Sequence, residues 1–194
     1  MTKPTALIFI GSQQKGFLIS LAELLAEDYK VVLIAAAADV EHLVRTRIPG
    51  SEIRRGFNAH ECSETYAEEE FRQIESKYGE RLSFLCAQDR ALGHGYLFNI
   101  DVYPDTIRTG WSGERKYSLI TAEFRYYERL VSEFEPVMTI SIGISQIQHL
   151  VFSHQGTKTV GLGVVKYGNR LFWFDNPKFT SRGQLRAIER RLGE

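Results

Sequence analysis

The sequence predicts an α/β fold: an open, mostly parallel sheet with helices on both faces. Three observations predict it. Short, continuous apolar runs recur along the chain, as suits strands buried on both faces. Segments with apolar residues three and four apart separate them, as suits amphipathic helices. Strand-like and helix-like segments alternate from one end to the other, which is the pattern of parallel strands joined by right-handed crossovers.

The elements follow in order. Residues 5–10 (TALIFI) form the first apolar run, broken by Gly11-Ser12-Gln13-Gln14-Lys15-Gly16. Leu18, Leu21 and Leu25, with Leu24 beside them, then mark a helix, and residues 30–36 (KVVLIAA) a second strand. Asp39 is placed to cap a short helix carrying Val40, Leu43 and Val44. Residues 48–60, with Pro49, Gly50 and Gly56, read as irregular. Thr65 and Glu68 have capping-box spacing. They open a helix with a stripe of Ala67, Phe71, Ile74 and Tyr78, and Gly79 suits its exit. Residues 82–87 (LSFLCA) read as the third strand, followed by a long, aromatic-rich loop from Gln88 to about Trp111.

The clearest helix runs from about Gly113 to Glu135. Tyr117, Ile120, Phe124, Tyr127, Val131 and Phe134 give it one apolar face, and Pro136 ends it. Residues 137–142 are the fourth strand. Gly143-Ile144-Ser145 then turns into a helix with Ile147, Leu150 and Val151. Residues 159–165 are the fifth strand and 171–174 a short sixth. Ser181 and Gln184 make a second capping-box pair ahead of Leu185, Ile188 and Leu192.

The 194 residues contain no internal repeat and no linker, so residues 1–194 read as a single domain. Hydrophobic residues make up 43% and charged residues 25%, an ordinary globular balance. Lys and Arg together number 24, as do Asp and Glu; the zero net charge argues against a nonspecific nucleic-acid binder. Cys62 and Cys86 form no CxxC motif and read as reduced thiols. No apolar run approaches the roughly 18 residues of a membrane span, and no cleavable leader opens the sequence, so a cytoplasmic location is expected.

Ligands on open parallel sheets bind outside the carboxyl ends of the strands, so the candidate segments are those that follow strands. Gly11–Gly16 follows the first strand; its amides, with the helix dipole, can hold an anion or a sugar hydroxyl. A plain tight turn is the competing reading. The loop is neither GxGxxG nor a Walker loop, because Phe17-Leu18 stands where Lys-Ser/Thr belongs. Residues 35–38 are all alanine and the nearest acid is Asp39, so strand two lacks the acidic ribose partner of a dinucleotide site.

The second segment is Gln88-Asp89-Arg90 with Gly93-His94-Gly95-Tyr96. Asp89 or His94 can serve as a general base toward a hydroxyl. Arg90 can pair with Asp89 or hold an anion. A loop-pinning ion pair and a surface histidine are the alternatives. Ser141-Ile142-Gly143-Ile144-Ser145 follows strand four, with Ser145 an N-cap or a ligand-facing hydroxyl. It lacks the second glycine of a nucleophile elbow. Because Ser12, Asp89, His94 and Ser145 each follow a predicted strand, all are expected on one sheet edge. Tyr167-Gly168-Asn169-Arg170 and the aromatics Phe172-Trp173-Phe174 can line or stack on a sugar, or simply build a strand and turn. No His/Cys/Asp/Glu group has metal-ligand spacing, and no metal or cofactor is expected. Glu68-Glu69-Glu70 reads as a solvated helix face.

Several of these segments, taken in order, resemble a known family. They are Asp89-Arg90 and its aromatic loop, Tyr126-Tyr127 before Glu135-Pro136, the Ser141–Ser145 turn, and Gly168-Asn169-Arg170-Leu171-Phe172-Trp173-Phe174-Asp175-Asn176-Pro177. Together they resemble the amino-terminal half of bacterial capsule and surface polysaccharide biosynthesis proteins. Those are similar to glycosyltransferases built from two Rossmann-like domains. The likeness spans roughly residues 5–180.

The resemblance implies a Rossmann-like acceptor-side domain. Asp89 or His94 would be the base toward a sugar or polysaccharide acceptor, with Gln13, Lys15, Arg90, Ser145 and Asn169 lining the site. It also implies a donor-binding domain or subunit, without which the chain is expected to be inactive. Family members often carry an acidic residue in the turn after strand four. Ile142 stands there instead, against a catalytic role for that turn. The competing reading is a non-catalytic Rossmann-like binding or assembly module; a nucleotide-dependent enzyme is a third, opposed by the missing phosphate loop.

Overall fold

The computed structural model describes residues 2–11, 14–58, 67–88, 112–164 and 171–175. The chain divides into two compact units, Met1–Phe57 with Leu130–Glu194, and Asn58–Arg129.

The first unit holds a six-stranded sheet in the order β3-β2-β1-β4-β5-β6. Its strands are β1 (Thr5–Ile10), β2 (Lys30–Ala35), β3 (Glu52–Arg55), β4 (Met138–Ile142), β5 (Lys158–Val164) and β6 (Leu171–Phe174). β1 to β5 pair in parallel, and β6 runs antiparallel to β5. The expected open, mostly parallel, Rossmann-like α/β sheet is therefore present. Its order reverses at β1, which sits between β2 and β4.

Alternation along the strands sorts the apolar residues to two faces. Ile8, Ile10, Leu33, Ala35, Ile140 and Leu162 share one buried cluster with Leu18, Ile19 and Ala22 of α1 (Lys15–Leu25) and Val40 and Val44 of α2 (Ala38–Arg47). Phe9, between Ile8 and Ile10, meets Phe152 on a later helix, Gln146–His154, edge to face with ring centres 6.1 Å apart. Helices thus cover both faces, as the alternating pattern requires.

Two expectations about this unit change. Asp39 does not cap α2: the N-cap is Ala37, in extended backbone without a side-chain hydrogen bond, and Asp39 lies in the first turn. Residues 52–55, expected to be irregular, form β3. EIRR shows no apolar alternation, but it is an edge strand held by its charges. Lys30 pairs with Glu52 at 2.9 Å and Arg54 with Glu133 at 2.6 Å, and the Arg54 guanidinium lies 5.2 Å from the Phe134 ring centre. Charged edges of this kind also resist pairing with other chains.

The second unit is helical where described. It contains α3 (Glu68–Tyr78), α4 (Leu82–Gln88) and the start of the long helix α5 (Gly113–Phe134), whose residues from Leu130 belong to the first unit. The last described helix, Gln146–His154, is α6. The third strand expected at 82–87 is wrong: that segment is α4. Leu82 and Leu85 are buried three residues apart while Phe84 between them is 54% exposed, a helical rather than a two-faced pattern. Glu75 starts the helix by accepting the Leu82 backbone N–H at 2.8 Å.

α3 begins at Glu68 behind Ala67, so Thr65 is not its N-cap; Thr65 itself lies outside the described residues. Gly79 ends it in the left-handed conformation at φ 69, as expected. Phe71 packs on Tyr117 and Tyr78 on Phe124, each pair with ring centres 5.0 Å apart. Glu70 is not merely solvated: it takes both arms of the Arg125 guanidinium. The helix expected from Ser181 lies outside the described residues.

Lys77 and the Tyr78 hydroxyl both donate to Glu128, at 2.6 and 2.7 Å. Burial, then Glu128, pushes the Tyr78 phenol upward; burial does the same to Tyr126. A phenol raised in the folded state contributes stability that is complete below its unfolded value, about 10, and is lost as pH rises from there toward the folded value. Urea midpoints are therefore expected to fall above about pH 10, less steeply in a Tyr78→Phe/Tyr126→Phe variant. Identical alkaline slopes in the two proteins would contradict this.

Candidate functional site

The carboxyl ends of β1, β2 and β4 bring Gly11, Lys15, Asp39 and the turn Gly143–Ser145 to one edge of the first unit. α1 enters through Gln14, which has left-handed backbone at φ 52 and makes no side-chain cap; its first turn has no acidic residue. The Lys15 ammonium instead reaches Asp39 in the first turn of α2, 3.1 Å away. That hydrogen bond lowers the Asp39 carboxyl below its ordinary value. Lys15 is thus occupied by a carboxylate, and the acid nearest the end of β2 is occupied by Lys15.

The turn after β4 is closed by its own side chains. Gly143 takes φ 71, a conformation a side chain would strain, and its N–H donates to Leu162 O at 3.2 Å. The buried Ser141 hydroxyl donates to Gly143 O and accepts from the Gln148 amide at 3.4 Å. Ser145 is the N-cap of α6, its hydroxyl accepting the Gln148 N–H at 3.0 Å. Of the two readings for Ser145, capping is the one the geometry displays. Ser145→Ala is expected to cost about 1 kcal/mol of stability, visible as a lower denaturation midpoint. No change on substitution would show the cap to be dispensable.

His149 was not singled out by sequence. It stands in mid-α6, its Nδ1 3.0 Å from Thr159 Oγ1 and 3.3 Å from Ser153 Oγ, while Thr159 also donates to Asp175 O at 3.3 Å. Thr159 lies at the start of β5, so this histidine ties α6 to the sheet away from the carboxyl edge.

The aromatics of β6 divide by strand alternation. A Cβ on Gly161 would fall 2.2 Å from the Phe174 ring, and one on Gly163 2.3 Å from the Phe172 ring. Those two rings therefore fill the space over the β5 glycines. Trp173 points the other way and remains 48% exposed beside Phe17 of α1, 38% exposed, with ring centres 6.3 Å apart and planes at 48°. Phe17 was passed over in sequence as the residue that spoils a Walker loop. The signal was its place off the Leu18–Leu25 stripe.

Gln13, Asp89, Arg90, His94 and Asn169 lie outside the described residues. The expectation that Asp89 and His94 share the Ser145 edge requires a strand before them. They follow α4 instead, and that expectation loses its basis. Among the described residues, no three His, Cys, Asp or Glu side chains group as metal ligands. Nor is any described helix long and apolar enough to cross a membrane.

No family model matches the chain, and no curated protein does. Among solved structures it is similar to a tyrosine-to-phenylalanine variant of ElxO with NADPH bound. The identity is 14%, over 86% of this chain and 75% of that one, with a TM-score of 0.29. At that score the likeness carries nothing about ligand or reaction.

Proposed function

We propose that the chain is a glycosyltransferase-like acceptor-binding domain of bacterial capsule or surface polysaccharide synthesis, working in the cytoplasm with a donor-binding domain or subunit. The order of sequence segments, from Asp89-Arg90 to Asn176-Pro177, suggests the family. The observation that carries the reading is the carboxyl edge of the sheet. Lys15 there is paired with Asp39, and β2 ends without a free acid for a ribose. An edge without an acidic ribose partner favours a hydroxyl-rich ligand over a dinucleotide.

Calorimetric titration of the purified chain tests this. Neutral oligosaccharides are expected to bind weakly, nucleotide-sugars and dinucleotides not at all, and no sugar transfer is expected from the chain alone. Transfer requires donor and acceptor held together, an arrangement that supplies about 7–11 kcal/mol of barrier reduction. Turnover lost in Asp89→Asn or His94→Ala would overturn the idea of an incomplete enzyme. Tight dinucleotide binding would overturn the acceptor reading, and no binding of any sugar would favour the assembly module.

A further inference from the structure

We infer that Trp173 and Phe17 form the seat on which one neutral sugar ring of the acceptor stacks. The inference rests on the acceptor reading and names its contact surface.

The two residues reach the same place from distant parts of the chain. Trp173 pairs in register with Leu162, which pairs with Ile142, the last residue of β4. It therefore lies level with the carboxyl end of β4, two pairs short of the end of the β5–β6 ladder. Phe17 sits in the first turn of α1, directly after β1. Leu171, two residues before Trp173 and on the same face, packs against the buried cluster that holds Leu18. The two rings thus stand at the rim of that core, not within it. Leaving large aromatic surface in water forgoes stabilisation that burial would supply, and exposed apolar surface beside a strand-end crevice marks a contact site.

The shape and charge of the site select its occupant. Planes at 48° with centres 6.3 Å apart are tilted rather than stacked flush, and both side chains remain partly exposed. An aromatic face suits the apolar C–H face of a pyranose. Lys15, in the same helical turn as Phe17, is hydrogen-bonded to Asp39, so a phosphorylated ligand would have to compete with that carboxylate for it. Hydroxyls of a neutral sugar can share that exposed ion pair without displacing it. Phe172 and Phe174 do not join the seat, since they are spent on Gly163 and Gly161.

The chain has two tryptophans, Trp111 and Trp173, so Trp111→Phe leaves Trp173 as the only indole reporter. Neutral oligosaccharides would be titrated into this variant, following its emission beside calorimetry. A saturable emission change with the calorimetric affinity is expected. Phe17→Ala should weaken binding about 3–10-fold, as loss of one aromatic contact does, with circular dichroism unchanged. Phe17→Leu, which keeps apolar bulk but no flat face, should weaken it similarly. Calorimetric binding with silent emission and unchanged affinity in Phe17→Ala would place the sugar elsewhere. That would overturn the seat and leave the acceptor reading standing. No binding by either method would overturn both. Emission that responds only to charged nucleotide-sugars, or only to protein concentration, would replace the seat with a nucleotide site or with a contact between two copies.

Discussion

Phe152→Ala is expected to lower stability by about 3–5 kcal/mol, the cost of emptying a large aromatic site in a close-packed interior. Phe152 is fully buried, and its ring meets Phe9 edge to face from α6. Its neighbours Ile147 and Val151 are buried on the same helix, so little of the lining can collapse inward. Against a total stability of about 5–15 kcal/mol, such a loss brings the protein near unfolding. Phe152→Leu preserves much of the volume and should cost less. Phe84→Ala, at an exposed position, serves as the control, with about 0.5 kcal/mol or less expected. Urea unfolding followed by circular dichroism measures all three. Equal midpoints for Phe152→Ala and Phe84→Ala would show that α6 does not seal the sheet face.

The elements legible in the sequence were those whose pattern has one physical solution. The α5 stripe from Tyr117 to Phe134 has a helical period too long to be a strand. The TALIFI and KVVLIA runs are β-rich and short, TALIFI lying between Pro4 and Gly11, and both are strands. LSFLCA was not legible because a short apolar run has no distinctive period, and strand and helix compete for it. The side chain of Glu75, seven residues away, starts the helix by accepting the Leu82 amide. β3 was missed for the opposite reason: three of its four residues are charged, and its partners Lys30 and Glu133 are remote in sequence.

The site followed the same logic. The capping alternative for Ser145 was legible because a cap is a local interaction. Lys15 entered the site only through the family resemblance, and its contact with Asp39, 24 residues away, could not be seen in the sequence. The three β6 aromatics looked equivalent in sequence. Only the strand register, which sets two of them over glycines and turns the third away, separates packing from exposure.

That register sets the second large effect. Gly161 and Phe174 are directly paired across β5 and β6, and a methyl group at Gly161 would lie 2.2–2.8 Å from three ring atoms of Phe174. Phe174 is itself buried, so its ring cannot swing into water without losing its own packing. Gly161→Ala is therefore expected to destabilise by about 1–3 kcal/mol, through overpacking rather than through backbone strain. Gly161→Ala/Phe174→Leu should lose less than the sum of the two single variants, because the smaller side chain makes room for the methyl group. A favourable coupling of about 0.5–3 kcal/mol is the signature of direct contact. Trp173, between the two packed phenylalanines, reports the same event: if Gly161→Ala pushes β6 outward, its emission shifts and the double variant restores it. Additive losses, or an unperturbed single variant, would show that Phe174 does not rest on Gly161. The alternation that turns Trp173 toward Phe17 would then lose its anchor.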